Sequence, residues 1–429
     1  MKEIVLATPP HVNEKIPNKA EYYRTITELD IVDIARVLFA GRITRDGGDF
    51  LLIDCTRHAS ASHTSLRVDG GSKQRWFCFG CNVGGDVLQL VEFYQAGCVT
   101  RHVKGQPMSD THRAARDWLA ARRGLPPLSQ LVGGDERDVA RIEAEHARNE
   151  DAYAALEGLS EYCHERLLAP ENEEVLEWLK SNYAISDDTI LSLKIGYSDN
   201  QFTDKNPLGI LKILTEPPYD LTHEQMARSG AFSLNPTRNI KLSPLFDRRI
   251  VFPYWSRGRV VYGIGRKTPW TPDTEFEKGK YKKLLTWNEH NHSYVARGIS
   301  NSCLYNEDIL SARPAPEYVI VVEGITDAIA LHERGFPVIS PVTTRIKSDD
   351  LKRIVPKLRS IKSVLFCLDS EESGTGLKAA LDGARLLSEH GITAKLIILP
   401  RPEGVEKVDA NSWFFERREL ENGGVAEFQ

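Results

Sequence analysis

The sequence predicts a multidomain protein of the α/β and α+β classes, built from a zinc-ribbon module, a mixed α+β basic subdomain and a parallel α/β sheet. Three features predict this architecture: two Cys/His pairs near the start, a basic segment in the middle, and three apolar runs that each end at or near carboxylates. A chain of 429 residues has room for two or three domains. No apolar run reaches the roughly 20 residues of a membrane helix, and no secretory signal opens the chain. We therefore expect a cytoplasmic protein with no membrane partner.

Two short ligand pairs predict one zinc site. Cys55 and His58 form a C-x2-H pair, and Cys78 and Cys81 form a C-x2-C pair after a gap of 19 residues. Each pair places two soft ligands at one tight turn, and two such turns complete a tetrahedral site. Four protein ligands leave no open position for catalysis, so the metal is expected either to hold the fold only or to shape a recognition module. The odd count of seven cysteines and the lack of a secretory signal disfavour disulfides.

The zinc ligands lie among short predicted strands and helices. Asp86 precedes an amphipathic helix as an N-cap residue does. The predicted elements are a helix over 27–40, strands over 50–53, 65–68 and 74–79, a helix over 87–94 and a helix near 111–123. A charged, alanine-rich stretch follows and predicts a connector with a solvated helix, and two further helices are predicted between residues 153 and 183.

The middle of the chain contains a basic segment. Between Lys241 and Lys283 there are eleven Lys or Arg and four Asp or Glu, although the net charge of the chain is −5. Such a segment in an acidic chain favours a focused polyanion-binding surface, and a solvated lysine-rich loop is the alternative. Within the segment, residues 249–254 and 259–264 are predicted to form a β-hairpin.

Three buried strands are predicted near the end of the chain, and each is followed by carboxylates. The strands cover 318–322, 363–368 and 394–399, and they alternate with helical patterns, which favours a parallel sheet. Ligands of such sheets bind beyond the carboxyl ends of the strands. Converging carboxylates there repel one another and are stabilised by hard divalent cations, so the sequence predicts a site suited to phosphoryl transfer. The carboxylates in these positions are Glu323, Asp327, Asp369, Glu371 and Asp409.

The chain resembles a known family in three places. Residues 321–330 (VVEGITDAIA) and 368–374 (LDSEESG) resemble the Toprim domain, which is shared by bacterial primases, topoisomerases and some nucleases. The zinc module resembles the zinc-binding domain of bacterial-type DNA primases. Residues 246–253, 263–266 and 280–285 resemble the basic half of the primase polymerase core. The order of the three parts also matches that family, and the resemblance covers roughly residues 30–415.

The resemblance implies a DNA-dependent primase that makes short RNA primers on single-stranded DNA by two-metal nucleotidyl transfer. It implies that Glu323, Asp369 and Glu371 are the principal metal-binding acids and that Asp327 and Asp409 are secondary ones. Basic residues expected to contact template or nucleotide phosphates are Arg248 or Arg249, Arg266, Lys280 and Lys282. Arg75, Trp76 and Phe79 are candidates for contacts between the zinc module and the template, with core packing as the favoured alternative for Phe79.

The resemblance also implies cofactors, partners and domain bounds. The cofactors are one Zn²⁺ and two or more Mg²⁺ or Mn²⁺ ions, and the partners are a single-stranded DNA template, NTPs and a replicative helicase acting in trans. The expected domains are an extended arm (1–30), a zinc-binding template-recognition domain (31–123), a linker (124–150), the basic part of the core (151–310), the Toprim domain (311–415) and a tail (416–429).

Several departures from the family pattern keep other functions open. Glu371 stands where Asp is usual, and Asn411 stands where a further acid is common. The chain ends about 20 residues after the Toprim pattern, with no room for a helicase-binding domain, so we expect a phage, plasmid or mobile-element type of primase. The alternatives are a Toprim-type metal-dependent nuclease and a non-catalytic DNA-binding relative of primases.

Overall fold

The computed structural model forms two compact units. One contains the residues up to Val68 with Trp76–His146, and the other contains Asp69–Arg75 with Ala147–Gln429. Residues 1–20, which make up most of the expected N-terminal arm, lie outside the described residues, as does Lys241. The structure describes residues 21–71, 73–100, 108–201, 209–234, 242–288, 293–296, 298–299, 304–312, 314–420 and 423–428.

The first unit is a five-stranded sheet packed against helices. The strands lie in the order β1-β2-β3-β4-β5, and the β1–β2 and β4–β5 pairs are antiparallel. The elements are α1 (Tyr22–Thr27), α2 (Ile31–Leu38), β1 (Ile43–Asp46), β2 (Phe50–Ile53), β3 (Leu66–Asp69), β4 (Arg75–Cys78), β5 (Val83–Gly85), α3 (Val87–Ala96), α4 (Asp110–Arg122), α5 (Leu128–Leu131) and the start of α6 (Glu136–Leu168).

Helix caps decide where the helices of this unit begin. Asp86 caps α3 as predicted, because its carboxylate accepts hydrogen bonds from the backbone N–H of Leu88 and Gln89. The helix predicted over 27–40 corresponds to α2 and begins later, at Ile31, because Asp30 adopts an extended conformation and caps it. The prediction of an extended arm is wrong for residues 21–30, where α1 buries Tyr22 and Ile26.

The predicted linker over 124–150 is folded structure. Leu128, Val132 and Ile142 belong to the hydrophobic core of the first unit. The buried carboxylate of Glu143 accepts hydrogen bonds from the guanidinium groups of Arg113 and Arg116. Helix α6 continues from Glu136 to Leu168, so the charged pattern that predicted a solvated connector belongs to a helix with one packed side.

The second unit contains the remaining helices, sheets and three short 3-10 helices (Pro170–Asn172, Glu275–Glu277 and Glu307–Ser311). Its other elements are α7 (Glu173–Asn182), α8 (Asp187–Leu193), β6 (Gly196–Tyr197), α9 (Ile210–Thr215), α10 (His223–Arg228), β7 (Phe232–Leu234), β8 (Leu242–Pro244), β9 (Arg249–Ser256), β10 (Arg259–Lys267), β11 (Tyr281–Lys283), β12 (Trp287–Asn288), β13 (Ser293–Tyr294), β14 (Tyr318–Val321), α11 (Ile325–Glu333), β15 (Val338–Ile339), α12 (Ser348–Leu358), β16 (Ser363–Phe366), β17 (Ser370–Glu371), α13 (Thr375–Glu389), β18 (Ala394–Leu396), β19 (Lys407–Val408), α14 (Ala410–Glu416) and α15 (Val425–Phe428).

The predicted parallel sheet is present in this unit. Its strands lie in the order β15-β14-β16-β18, and the pairs that join them are all parallel. Val319 and Val321 pack on one side of the sheet with residues of α12 and α13, whereas Ile320 and Val322 pack on the other side with residues of α11. Both sides are therefore covered, as the continuous apolar runs of β14 and β16 predict.

A second, antiparallel sheet (β11-β10-β9-β6) contains the predicted hairpin, formed by β9 and β10. Arg249 of β9 is fully buried, with 0% of its surface exposed. Its guanidinium donates hydrogen bonds to the carboxylate and the carbonyl of Glu277 and to the carbonyls of Gly265 and Gly279. The prediction that Arg249 contacts phosphates is therefore wrong, because its donors are used inside the protein. The neighbouring Arg248 is exposed and fits that prediction instead.

No helix within the described part of the chain combines the length and the apolar character needed to span a bilayer.

We expect Arg249→Met to lower the free energy of unfolding by about 3 to 5 kcal/mol, because it leaves the buried carboxylate of Glu277 without this partner. The matched substitution Arg248→Met removes an exposed charge next to it and should change stability by less than about 0.5 kcal/mol. Urea denaturation of the two variants measures both values, and equal losses would contradict the structural role of Arg249.

Candidate functional site

Three sulfur atoms and one imidazole nitrogen converge in the first unit. The ligand atoms of Cys55, His58, Cys78 and Cys81 all lie within 4.8 Å of one another. Cys55 Sγ is 3.9 Å from Cys81 Sγ, which in turn is 3.3 Å from His58 Nδ1. Cys55 and His58 follow β2, whereas Cys78 ends β4 and Cys81 lies in the β4–β5 turn. The two predicted ligand pairs therefore meet.

This arrangement fits a tetrahedral metal site. With metal–sulfur bonds of about 2.3 Å, two sulfur ligands of a tetrahedral ion lie about 3.8 Å apart, close to the separation of Cys55 and Cys81. Without a metal, burial and the neighbouring Cys78 raise the pKa of the Cys81 thiol to about 12. Thiolates so close together require a cation, and the soft donor set is the one that zinc prefers.

Two residues around this cluster hold His58 and its turn in place. A Cβ atom on Gly80 would lie 2.0 Å from His58 Nε2, so only glycine leaves room for the imidazole. Arg57, between the first two ligands, donates a hydrogen bond of 2.8 Å to the carbonyl of Tyr94 at the end of α3. Arg57 thus links the turn between the first two ligands to the end of α3.

Alternation along β4 divides its side chains between the core and the surface. Trp76 is 2% exposed and its ring lies 4.8 Å from the ring of Phe93, so the prediction that Trp76 stacks on template bases is wrong. Arg75, Phe77 and Phe79 are exposed instead. The two phenylalanine rings contact each other edge to face at 5.1 Å, and Phe79 is 67% exposed. The expectation of core packing for Phe79 is therefore also wrong.

The carboxylates of the second unit converge at one edge of the parallel sheet. Val321 of β14 pairs with Phe366 of β16, so Glu323 and Asp369 follow at the same edge. The short antiparallel pair of β17 and β19 then brings Asp409 to this edge. Carboxylate oxygens of Asp327, Asp369 and Asp409 lie within 4.8 Å of one another.

The backbone holds two of these acids in position. Asp327 accepts hydrogen bonds from Gly324 N (3.1 Å) and Asn411 N (2.9 Å). The side chain of Asn411 is turned away, and its oxygen accepts a hydrogen bond from Ala184 N. Asn411 therefore orients Asp327 through its backbone and takes no place among the acids. The second acid is Asp369, whose backbone packs closely against Gly376. Only glycine fits there, because a Cβ atom would lie 2.1 Å from the carbonyl oxygen of Asp369.

The electrostatics of this edge oppose the ionised state. Burial and the nearby Asp409 raise the pKa of Asp327 to about 8, and burial and Asp369 raise the pKa of Glu323 to about 7. The pKa of Asp369 is raised by burial, although its ion pair with Lys407 opposes this shift. All-oxygen ligands of this kind suit Mg²⁺ or Mn²⁺, which would hold the carboxylates in the ionised state.

The closest three acids differ from the three that the family resemblance ranks first. Asp369 belongs to both sets, but Asp327 and Asp409 complete the closest group. Glu371 lies near enough to raise the pKa of both Glu323 and Asp369. Glu371 also accepts a hydrogen bond of 3.2 Å from Gly376 N at the start of α13.

Basic and aromatic residues of the antiparallel sheet border the acids. Burial and the nearby charges of Arg266 and Lys407 lower the pKa of Lys280, and Asp409 and Asp327 oppose this shift. The guanidinium of Arg266 lies 5.2 Å from the ring centre of Tyr281. The predicted residue Lys280 therefore lies beside the carboxylates, and the predicted residue Arg266 lies near Lys280. Sequence patterns single out neither Tyr281 nor Lys407, and strand pairing alone brings Lys407 to Asp369.

Most of the positive charge in the basic segment is neutralised locally. Lys282 forms an ion pair with the buried Glu277, so the structure does not support phosphate binding by this residue. Arg259 contacts Glu150 and Glu157 in the same way. Arg248 lies beside Asp247, whose raised pKa is caused by burial and opposed by the Arg248 charge. The high count of basic residues thus overstates the charge available to a ligand.

Comparison with known proteins identifies the acid-bearing sheet. A family model described as the Toprim domain matches residues 317–398. The chain contains a Toprim domain. This match confirms the prediction made from the two acidic motifs, and it includes Glu323, Asp327, Asp369 and Glu371. Asp409 lies beyond the matched residues.

This chain is similar to curated DNA primases of bacteria, as the resemblance predicts. It is 22% identical to the DNA primase of Pseudomonas putida over 94% of its own chain and 55% of the relative. It is 25% identical to the DNA primase of Aquifex aeolicus over 87% of its own chain and 63% of the relative. The chain thus spans little more than half the length of the curated relatives it matches.

A solved structure has the same fold. The zinc-binding and RNA polymerase domains of the Aquifex aeolicus primase align with 95% of this chain and 84% of that chain, with a TM-score of 0.53 and 23% sequence identity. The predicted fold class is therefore confirmed.

We expect Gly80→Ala to weaken zinc binding by roughly tenfold or more, because the added methyl group displaces the His58 imidazole. Gly41→Ala is the matched control, since a Cβ atom there meets no atom within 4 Å. Competition with a chromogenic chelator measures both affinities. Equal affinities in the two variants would contradict His58 as a ligand.

Metal-free protein should lose stability as the pH rises from about 5 to 8. The pKa of Glu323 is raised to about 7 in the folded state, so the folded protein binds more protons than the unfolded chain in this range, and its free energy of unfolding falls as protons leave. Glu323→Gln should therefore be more stable than wild type at pH 8 and similar at pH 5.

Thermal denaturation without added Mg²⁺ or Mn²⁺ checks this expectation. Glu372→Gln, at an exposed position next to Glu371, is the control and should follow wild type. A stability difference between Glu323→Gln and wild type that does not change with pH would show that repulsion at this edge is not relieved by protonation.

Proposed function

We propose that this protein is a DNA-dependent primase that synthesises short RNA primers on single-stranded DNA. The observation that carries the proposal is the joint presence of a Cys₃His cluster, a basic sheet and an acid-tipped Toprim sheet in one chain. The relatives named DNA primases align with most of the length of this chain. The substrates are NTPs and a DNA template, and a replicative helicase acting in trans is the proposed protein partner.

The acid edge is the proposed catalytic centre. Glu323, Asp369 and Glu371, together with Asp327 and Asp409, would hold two Mg²⁺ or Mn²⁺ ions. Ions of this kind supply activation of the attacking hydroxyl group and charge stabilisation of the leaving pyrophosphate. The protein holds Asp327 through the backbone donors of Gly324 and Asn411, and Glu371 through the backbone donor of Gly376.

The basic residues beside the acids are proposed to position the polyanionic substrates. Lys280 and Arg266 lie within electrostatic reach of the acid edge, so they suit the triphosphate of a bound nucleotide. Arg248 is exposed in the bend just before β9 and suits the phosphate backbone of the template. The order of bases in the product would then be set by pairing with the template.

The first unit is the proposed template reader. A single Zn²⁺ ion bound by Cys55, His58, Cys78 and Cys81 would fix the β2 and β4 turns. The exposed Phe77 and Phe79 offer rings for base stacking, and Arg75 on the same side of β4 offers a charge for the backbone. Arg67 of β3 lies over the ring of Phe50 at 5.1 Å and extends this aromatic and basic surface.

Primer synthesis on a library of single-stranded templates tests the proposal. Wild type with NTPs and Mg²⁺ or Mn²⁺ should produce short RNA, and Asp369→Asn should lose at least about 100-fold of this activity. Asp382→Asn, an exposed acid on α13, is the matched control and should retain it. Phe79→Ala should keep nucleotide binding but weaken template binding by roughly tenfold, because a stacked base is worth about 1 to 3 kcal/mol.

Two results would overturn the proposal. Cleavage of DNA by wild type without NTPs, lost in Asp369→Asn, would identify a nuclease. Failure of correctly folded, metal-loaded wild type to make RNA on every template would leave a non-catalytic DNA-binding protein.

A further inference from the structure

A lysine occupies the centre of the acid edge. Lys407 of β19 forms an ion pair with Asp369, the residue before β17, and the charges of Asp409 and Glu323 also act on its ammonium group. Burial lowers the pKa of Lys407, but the carboxylates more than offset this effect and the pKa is raised. The ammonium group therefore neutralises part of the same charge that a divalent cation would neutralise.

The position of Lys407 also allows its ammonium group to separate from Asp369. Asp369 is buried with only 8% of its side chain exposed, whereas 42% of the Lys407 side chain is exposed. Lys407 lies on a two-residue strand whose pairing with β17 is made by the backbone (Glu371 opposite Lys407), so the side chain can turn without loss of that pair. Lys280, a candidate ligand of phosphate, lies close enough to Lys407 for the charge of Lys407 to lower its pKa.

We propose that Lys407 is a built-in cation that competes with a divalent ion for Asp369 and, once displaced by the ion, binds the polyphosphate of the incoming nucleotide. This inference rests on the proposed function, because it takes the acid edge as the metal site. Lys407 is thereby a positioning residue that links metal loading to nucleotide binding.

The physical argument concerns net charge. The negative charge of five carboxylates exceeds the positive charge of one divalent ion. An ammonium group at Asp369 lowers the affinity of the site for divalent ions when no nucleotide is present. When metal and nucleotide arrive together, the triphosphate brings negative charge of its own. An ammonium group released from Asp369 then lies beside Lys280 and can pair with that charge.

Two binding measurements with opposite expected signs test the proposal. In Lys407→Met, the affinity for Mn²⁺ in nucleotide-free protein, measured by electron paramagnetic resonance of free Mn²⁺, should rise about five- to tenfold. The affinity for Mg·ATP at saturating Mg²⁺ and without DNA, measured by equilibrium dialysis, should fall by a similar factor. A purely structural role would not move the two affinities in opposite directions.

Two control variants make the result specific. Lys407→Arg keeps a cation at Asp369 and should stay within about twofold of wild type in both measurements. Lys280→Met removes a nearby charge that acts on the acids only through space, so its effect on Mn²⁺ affinity should be smaller than that of Lys407→Met. Thermal denaturation confirms that each variant is folded.

The outcomes separate this inference from the proposed function. If wild type binds Mn²⁺ but Lys407→Met binds it no more tightly, or if both affinities of that variant fall together, the inference is wrong and the metal site stands. If neither wild type nor Lys407→Met binds Mn²⁺ while Asp369→Asn is indistinguishable from them, the proposed metal site itself is wrong.

Discussion

Five carboxylates that converge on one edge of a parallel sheet are the constraint on which the second unit depends. Their mutual repulsion and partial burial raise the pKa values of Glu323 and Asp327 far above those of ordinary acids. The fold accepts this unfavourable charge because backbone N–H groups and Lys407 offset part of it. Because the repulsion between these carboxylates destabilises the protein without a cation, the site is suited to bind one. Cation binding is the basis of the proposed chemistry.

The basic residues near this edge divide into two groups by the partners they find. Arg249, Lys282 and Arg259 bind carboxylates of the protein and hold strands and loops together. Lys280 instead lies toward the acids with Arg266 near it, where these charges would be available to the proposed nucleotide. Neighbours in sequence can differ in the same way: Arg249 is buried in β9, whereas Arg248 lies in the bend before this strand and is exposed.

The first unit shows a similar division on one strand. Trp76 and Cys78 of β4 face the core and the metal-ligand cluster, whereas Phe77 is exposed with Arg75 on the other side. A metal at this cluster would join the β2 and β4 turns and so fix the strand that displays the aromatic surface. The proposed template recognition would therefore be coupled to stability, because the same strand carries a ligand on one side and candidate template contacts on the other.

The sequence by itself determined the features that depend on local spacing. The ligand pairs at Cys55–His58 and Cys78–Cys81, the β9–β10 hairpin, the cap at Asp86 and the acid-tipped parallel strands all follow from residue type and short-range period. The family resemblance also followed from motifs of this kind, because their residues are close together in the chain.

Tertiary structure decided the features that depend on partners distant in the chain. Whether Arg249 or Arg248 is exposed depends on Glu277, and whether 124–150 is a linker depends on a core formed with α1 and α4. Lys407 reaches Asp369 only because β19 pairs with β17. Burial and ion pairing are properties of the folded assembly of strands, so a pattern of single residues predicts which groups can react but not which of them meet.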